Sequence, residues 1–207
     1  MAIEKLFVKE GIRDSQLEEY LGDMFDKAGY SHTEMQRTPM GTRIIIFAHR
    51  PGLIIGKSGR RIQELTEAIK VRFGIENPLL DVKEVDEPLL DPAIVAKRIA
   101  RSLEKGINFK KVCNFYLEEV TKGGAIGITI RVAGKLAGVE RSRFAKFRRG
   151  FVAHSGEYAE TLVRNGFTRA AMKPGMVGIQ VKIMMESPKE ITVKQKVPSV
   201  EDIVAGA

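Results

Sequence analysis

Apolar residues recur along this chain at two spacings, and their order predicts most of its elements. Leu17, Tyr20, Leu21, Met24, Phe25 and Ala28 share one helical stripe, which Gly29 ends. Ser31 to Thr38 is polar and reads as an edge strand. Pro39-Met40-Gly41 turns into Ile44-Ile45-Ile46-Phe47, an apolar run expected of a strand buried on both faces. After the short apolar helix or turn Pro51-Gly52-Leu53-Ile54-Ile55, the residues Ile62, Leu65, Ile69 and Phe73 resume the helical period. Ser58 is placed to cap that helix and Gly74 to end it. Asn77-Pro78 opens a further strand, Leu79 to Val85. The acidic stretch Glu84-Val85-Asp86-Glu87-Pro88 then marks a boundary.

A second unit opens with helices. Asp91 is a cap followed by Pro92 at the first helical position. Ile94, Val95, Ile99 and Leu103 form its stripe, and Gly106 breaks it. Asn108 caps the next helix, where Phe109, Val112, Cys113, Tyr116, Leu117 and Val120 line one face before Gly123-Gly124. Ile126, Ile128, Ile130 and Val132 then alternate with Gly127, Thr129 and Arg131. Val177, Ile179, Val181, Ile183 and Met185 alternate as cleanly, so both segments read as half-buried strands. Gly150 to His154 and Thr161 to Ala171 carry weaker strand patterns. The expected class is α+β. One unit spans 1–86 and a second spans 87–186, the second with helices packed on a mostly antiparallel sheet. Residues 187–207, with Pro188, Pro198 and unpatterned charge, read as a flexible tail.

Charge narrows the function. The chain has 34 basic against 26 acidic residues, a net charge of +8, which points to phosphate polymers, anionic membranes or acidic partners. Membrane insertion is not expected, because no apolar run approaches the ~20 residues needed to span a bilayer. Met1-Ala2-Ile3-Glu4-Lys5 lacks the apolar core of a signal peptide. The single cysteine, Cys113, excludes an internal disulfide and a cysteine-rich zinc site, and a reducing cytoplasmic setting fits. His32, His49 and His154 are isolated and have no ligand spacing. No serine sits in a nucleophile elbow and no carboxylate pair is placed for acid–base work. Neither a metal nor a cofactor is expected, and the protein does not read as an enzyme.

Two segments carry candidate chemistry. The first is Ile54-Ile55-Gly56-Lys57-Ser58-Gly59-Arg60-Arg61-Ile62. Its glycine spacing alone means little, since 20 glycines in 207 residues give roughly two such pairs by chance. The chain has Gly56/Gly59, Gly124/Gly127 and Gly175/Gly178. Only the first pair joins two apolar elements at the start of a basic helix, where free N–H groups and the positive dipole end attract phosphate. A nucleotide-binding phosphate loop is excluded, because Gly52 leaves three residues rather than four before Gly56-Lys57-Ser58. The second segment, Arg141-Ser142-Arg143-Phe144-Ala145-Lys146-Phe147-Arg148-Arg149, has five basic residues in nine and no acid. Phe144 and Phe147, three apart, are placed to anchor a helix there. Arg131 and Lys135 lie just before it, and Gly134 to Gly138 forms a glycine-flanked turn. A rigid basic cluster suits structured RNA.

The first segment resembles the KH domain signature, apolar-Ile-Gly-x-x-Gly-x-x-Ile, whose loop clamps about four nucleotides of single strand. The element order before and after it is similar to the prokaryotic-type KH arrangement. The resemblance sharpens in the second unit. Val132-Ala133-Gly134-Lys135-Leu136-Ala137-Gly138-Val139-Glu140-Arg141-Ser142-Arg143 resembles the Ser-Gly-Arg/Lys-Leu-x-Gly segment of the small-subunit ribosomal protein three family. Gly175 to Met184 looks like that family's closing strand, and His154-Ser155-Gly156 is closer to its archaeal and eukaryotic branch. The similarity covers residues 1 to 186.

This resemblance implies a structural component in the head of the small ribosomal subunit. It would bind small-subunit ribosomal RNA, help line the messenger RNA entrance, and neighbour ribosomal proteins ten and fourteen. Gly56, Lys57, Ser58 and Gly59 would hold single-stranded backbone, with Arg60 and Arg61 extending the contact. Arg131, Lys135, Arg141, Arg143, Lys146, Arg148 and Arg149 would dock folded ribosomal RNA. The bacterial messenger-facing pattern Phe-Arg-Arg-x-x-Lys falls on Phe109-Lys110-Lys111-Val112-Cys113-Asn114. Lys110 and Lys111 keep the charge, whereas Asn114 loses it and implies a weaker grip. Three other classes stay open on sequence grounds: a free KH-type regulator, a nucleic-acid lyase using a lysine, and a partner-binding scaffold.

Overall fold

The computed structural model describes residues 3–38, 41–56, 59–75, 77–136 and 141–186. The expected tail, Lys57, Ser58 and the turn residues Ala137 to Glu140 lie outside them. The first unit runs α1 (Ile3–Met24), a 3-10 turn (Asp26–Ala28), β1 (Tyr30–Thr38), β2 (Gly41–Ala48), α2 (Pro51–Ile55), α3 (Arg60–Phe73) and β3 (Leu79–Glu84). β2 is the central strand, antiparallel to β1 and parallel to β3. A parallel neighbour requires a crossover, and α2 with α3 supplies it. Leu17 and Leu21 of α1, Ile54 of α2, and Leu65 and Ile69 of α3 close over Ile44 and Ile46 of β2. Burying each such side chain contributes about 1.5–3 kcal/mol. Ile45, on the opposite face of β2, is buried as well, as expected of the apolar run.

The second unit continues with α4 (Pro92–Glu104), α5 (Phe109–Lys122), β4 (Gly127–Gly134), β5 (Arg143–Gly150), α6 (Glu157–Thr161), β6 (Val163–Met172) and β7 (Gly175–Met184). Its caps are those expected. The Asp91 carboxylate accepts from the Ala93 and Ile94 amides, and the Asn108 side chain accepts from the Lys110 amide. The sheet is antiparallel throughout, in the order β5-β4-β7-β6. Ile128, Ile130 and Val132 of β4, with Val177, Ile179, Val181 and Ile183 of β7, face the stripes of α4 and α5. Cys113 lies in that core, and burial pushes its thiol pKa up to about 12, so it acts as a small apolar side chain. Helix α4 rests directly on β6 at Gly166, where a Cβ would stand 2.4 Å from the Pro92 backbone.

Four expectations are corrected. Arg143–Gly150 is an edge strand and not a helix, because it pairs with β4 from Gly127↔Gly150 to Gly134↔Arg143. Residues three apart in a strand lie on opposite faces, so Phe144 points away from the core while Phe147 packs edge-on against Phe109 at 6.2 Å. Residues 151–154, expected as a strand, are irregular; Val152 and Ala153 instead bury with Val163 and Met184 in a small separate cluster. Helix α1 stops at Met24, and Gly29 ends the 3-10 turn that follows it, while the upstream half of α1 leaves Phe7, Val8 and Ile12 exposed. Met24, expected in the stripe, is 43% exposed, whereas its neighbour Phe25 is buried.

Helix α4 also fastens the two units together. Arg101 donates to the Asp26 carboxylate from Nε (3.0 Å) and Nη2 (2.7 Å), and Nη2 also reaches the Asp26 carbonyl. Lys97 Nζ donates to the Gly22 carbonyl at 3.3 Å and sits 4.7 Å from the Tyr30 ring centre. Burial lowers the Lys97 pKa, partly offset by the Asp26 carboxylate. Its amine is therefore engaged as a strut between the units.

Candidate nucleic-acid interface

The glycine turn is built by its two helices. Pro51 starts α2 with its fixed φ, and the short helix ends at Gly56, with φ 73° and ψ −175°. That backbone region belongs essentially to glycine, and a Cβ there would lie 2.7 Å from Cβ of Arg61. Gly59, in the left-handed region, precedes Arg60 as the helix cap. The cap position falls on Gly59, which has no side chain to cap the first turn of α3; the expected cap Ser58 lies outside the described residues. Arg61 bends back instead, donating from Nη1 to the Leu53 carbonyl at 3.1 Å. It thereby satisfies a carbonyl at the end of α2, so part of its donor capacity holds the turn together. The groove beside it, about 590 Å³, is lined by Gly52, Leu53, Gly56, Arg60, Arg61 and Glu64. Leu53 exposes apolar surface there, and Ile55 of the same helix is also partly exposed.

Lys110 and Lys111 project from the first turn of α5 into solvent, with Asn114 exposed beyond them. Cations at a helix N-terminus oppose the dipole at a cost of about 0.3–1 kcal/mol each. Helix stability therefore does not account for them.

A cationic surface lies on the face of the second sheet turned away from α4 and α5. Register places Arg148, Thr129, Lys182 and Asn165 in one row across the strands. Lys146, Arg131, Gln180 and Phe167 make the next, followed by Phe144, Ala133, Gly178 and Arg169. No strand residue on this face is acidic. Phe144 and Phe167 are each 68% exposed, and the Arg131 guanidinium lies 5.3 Å from the Phe144 ring centre. The His154 ring approaches from the loop after β5, 3.4 Å from Lys146 Nζ. A lysine ammonium only donates, so His154 Nε2 accepts. Desolvation and the nearby Lys146, Lys182 and Arg148 hold the His154 pKa below its ordinary value.

Known families match both units. A KH domain model matches residues 16–90, and a model of the ribosomal protein S3 C-terminal domain matches residues 99–183. The small ribosomal subunit protein uS3 of Methanocaldococcus jannaschii is 45% identical over 196 residues, covering 93% of this chain and 94% of the relative. The chain belongs to the ribosomal protein S3 family. The corresponding proteins of Methanococcus maripaludis and Methanococcus aeolicus are 44% and 42% identical over 194 and 195 residues. All three come from archaea, the branch that His154-Ser155-Gly156 resembles.

Within this S3-family fold the sequence-derived candidates separate into five places. Gly56, Gly59, Arg60 and Arg61 meet at the turn; Lys57 and Ser58 belong to the same segment but lie outside the described residues. Lys110 and Lys111 share α5. Arg131, Lys146 and Arg148 gather on the open sheet face. Arg143 and Arg149 alternate onto the helix-covered side, where Arg149 stands 4.0 Å from Glu118. Lys135, after β4, and Arg141, before β5, are exposed. Sequence reasoning missed Thr129, Gln180, Lys182, His154, Phe167 and Arg169 as members of the open face. The alternation of β7 marks Gln180 and Lys182 as outward positions, but only register shows that they border β4. Among the described residues no group of His, Cys, Asp and Glu could hold a metal, and no helix is long and apolar enough to cross a membrane.

Proposed function

We propose that the protein is a ribosome-bound structural component of the small-subunit head in the cytoplasm, holding small-subunit ribosomal RNA without catalysing a reaction. The observation that carries this is the open sheet face, where Arg131, Lys146, Arg148, Lys182 and Arg169 stand with no acid among them. Such a surface binds the phosphate backbone through counterion release, independently of sequence. Lys135, Arg141, Arg143 and Arg149 border that contact. The turn from Gly56 to Gly59, with Lys57, Ser58, Arg60 and Arg61, holds a single-stranded backbone. Lys110 and Lys111 face messenger RNA at the entrance, and the remaining surface meets neighbouring head proteins such as ten and fourteen. The chain divides for this work into 1–86 and 87–186, followed by a tail.

Filter binding of the full chain to small-subunit RNA across a salt series tests this reading. Each phosphate contact should contribute about −0.7 to −0.9 to the slope of log affinity against log salt. Arg131→Glu with Lys146→Glu should flatten that slope. Lys57→Asp with Ser58→Asp should weaken binding to short single strands while leaving the fold intact. Affinity that does not change with salt would overturn the proposal.

A further inference from the structure

We infer that Thr129, Lys182, Lys146 and Arg131 form a seat for one RNA phosphate on the open face of the second sheet. This rests on the reading that the face binds RNA, and goes beyond it by assigning a specific pocket. Thr129 is central. It lies between Arg148 and Lys182 in the sheet, is only 4% exposed, and its Oγ1 is buried with no hydrogen-bond partner among the described residues. A hydroxyl at this depth normally has a partner, since leaving one unmade costs about 1–3 kcal/mol. Thr129 floors a cavity of about 410 Å³ walled by Arg131, Phe144, Lys146, His154, Gln180 and Lys182.

The wall chemistry selects the occupant. Three cations surround one neutral hydroxyl donor and no carboxylate, which suits a compact anion with several acceptor oxygens. His154 Nε2 accepts from Lys146 and orients its ammonium, while the Phe144 ring carries the Arg131 guanidinium. Phe144 and Phe167, exposed on the same face, offer flat surfaces for the bases of a nucleotide whose phosphate is seated. A phosphodiester meets all of these features. An acidic peptide leaves the two aromatic rings unused.

The test uses the full chain with small-subunit RNA, comparing Thr129→Val, Lys182→Gln and, as a charge control at the end of α4, Lys105→Gln. Thr129→Val should weaken binding about tenfold, the size of a lost hydrogen bond to a charged group. It should leave the salt slope unchanged and thermal stability equal or higher. Lys182→Gln should also reduce the salt slope by about one contact, whereas Lys105→Gln should do less. Normal RNA affinity with lowered stability in Thr129→Val would show a purely structural hydroxyl and overturn the seat alone. Poly-glutamate binding as tightly as RNA, with the same sensitivity to Thr129→Val, would overturn the phosphate assignment. No RNA binding by the unaltered chain at low salt would overturn both the seat and the RNA reading of this face.

Discussion

Gly56 shows how much one residue can decide. Its backbone combination lies where side chains are strained, and the space its Cβ would need is filled by Arg61. Gly56→Ala should therefore cost about 1–3 kcal/mol in a denaturant titration, more than an exposed glycine substitution normally does. The same variant should weaken single-strand binding, because the turn and the Arg61 clasp on Leu53 move together. His49 gives a second prediction at this scale. Its Nδ1 is buried without a partner among the described residues, and its pKa is lowered by desolvation first and by Arg98 and Arg50 next, with Glu84 opposing. The unfolded chain thus binds a proton more readily than the folded one. Stability is full above pH 6.5 and falls as acid carries the solution down through the folded-state pKa. His49→Gln should flatten that fall in pH-dependent unfolding, leaving a contribution of the same sign from His154.

At the scale of elements, α5 carries two cations where its dipole disfavours them. Replacing Lys110 and Lys111 with glutamate should raise stability by about 0.5–1 kcal/mol, because anions suit a helix N-terminus. RNA affinity should fall in the same variant. A loss of stability on unfolding by denaturant would mean that the two lysines serve the fold. Legibility in the sequence also divides by element. Helices with a cap and a stripe, such as α4 and α5, were readable because capping and burial are local. β5 was not, because its residues pair with β4 for reasons held in β4, and Phe144 and Phe147 fit a helix and a strand equally well. The place of the glycine turn between two helices was readable from its two flanking apolar periods. The open sheet face was readable only in part: Arg131, Lys146 and Arg148 stood out as charge, but Thr129 and Lys182 needed the register.

For the whole molecule, the question is how the two units keep one geometry. Arg101 on Asp26 and Lys97 on Gly22 tie α4 to the end of α1, so the helix that covers the second sheet also positions the first. Both partners of the Arg101–Asp26 pair are more than a third exposed, so solvent screens it, and a double-mutant cycle should return about 0.5–1 kcal/mol. The fold, the family and the charge distribution agree on one central claim, that the chain is a structural part of the small subunit. Sedimentation of native cell lysate through a sucrose gradient, tracking this protein against small-subunit RNA, tests it most directly. Comigration at near-equal stoichiometry, weakening only as salt is raised, is the result predicted. Protein found at the top of the gradient, away from the subunit in low salt, would contradict it.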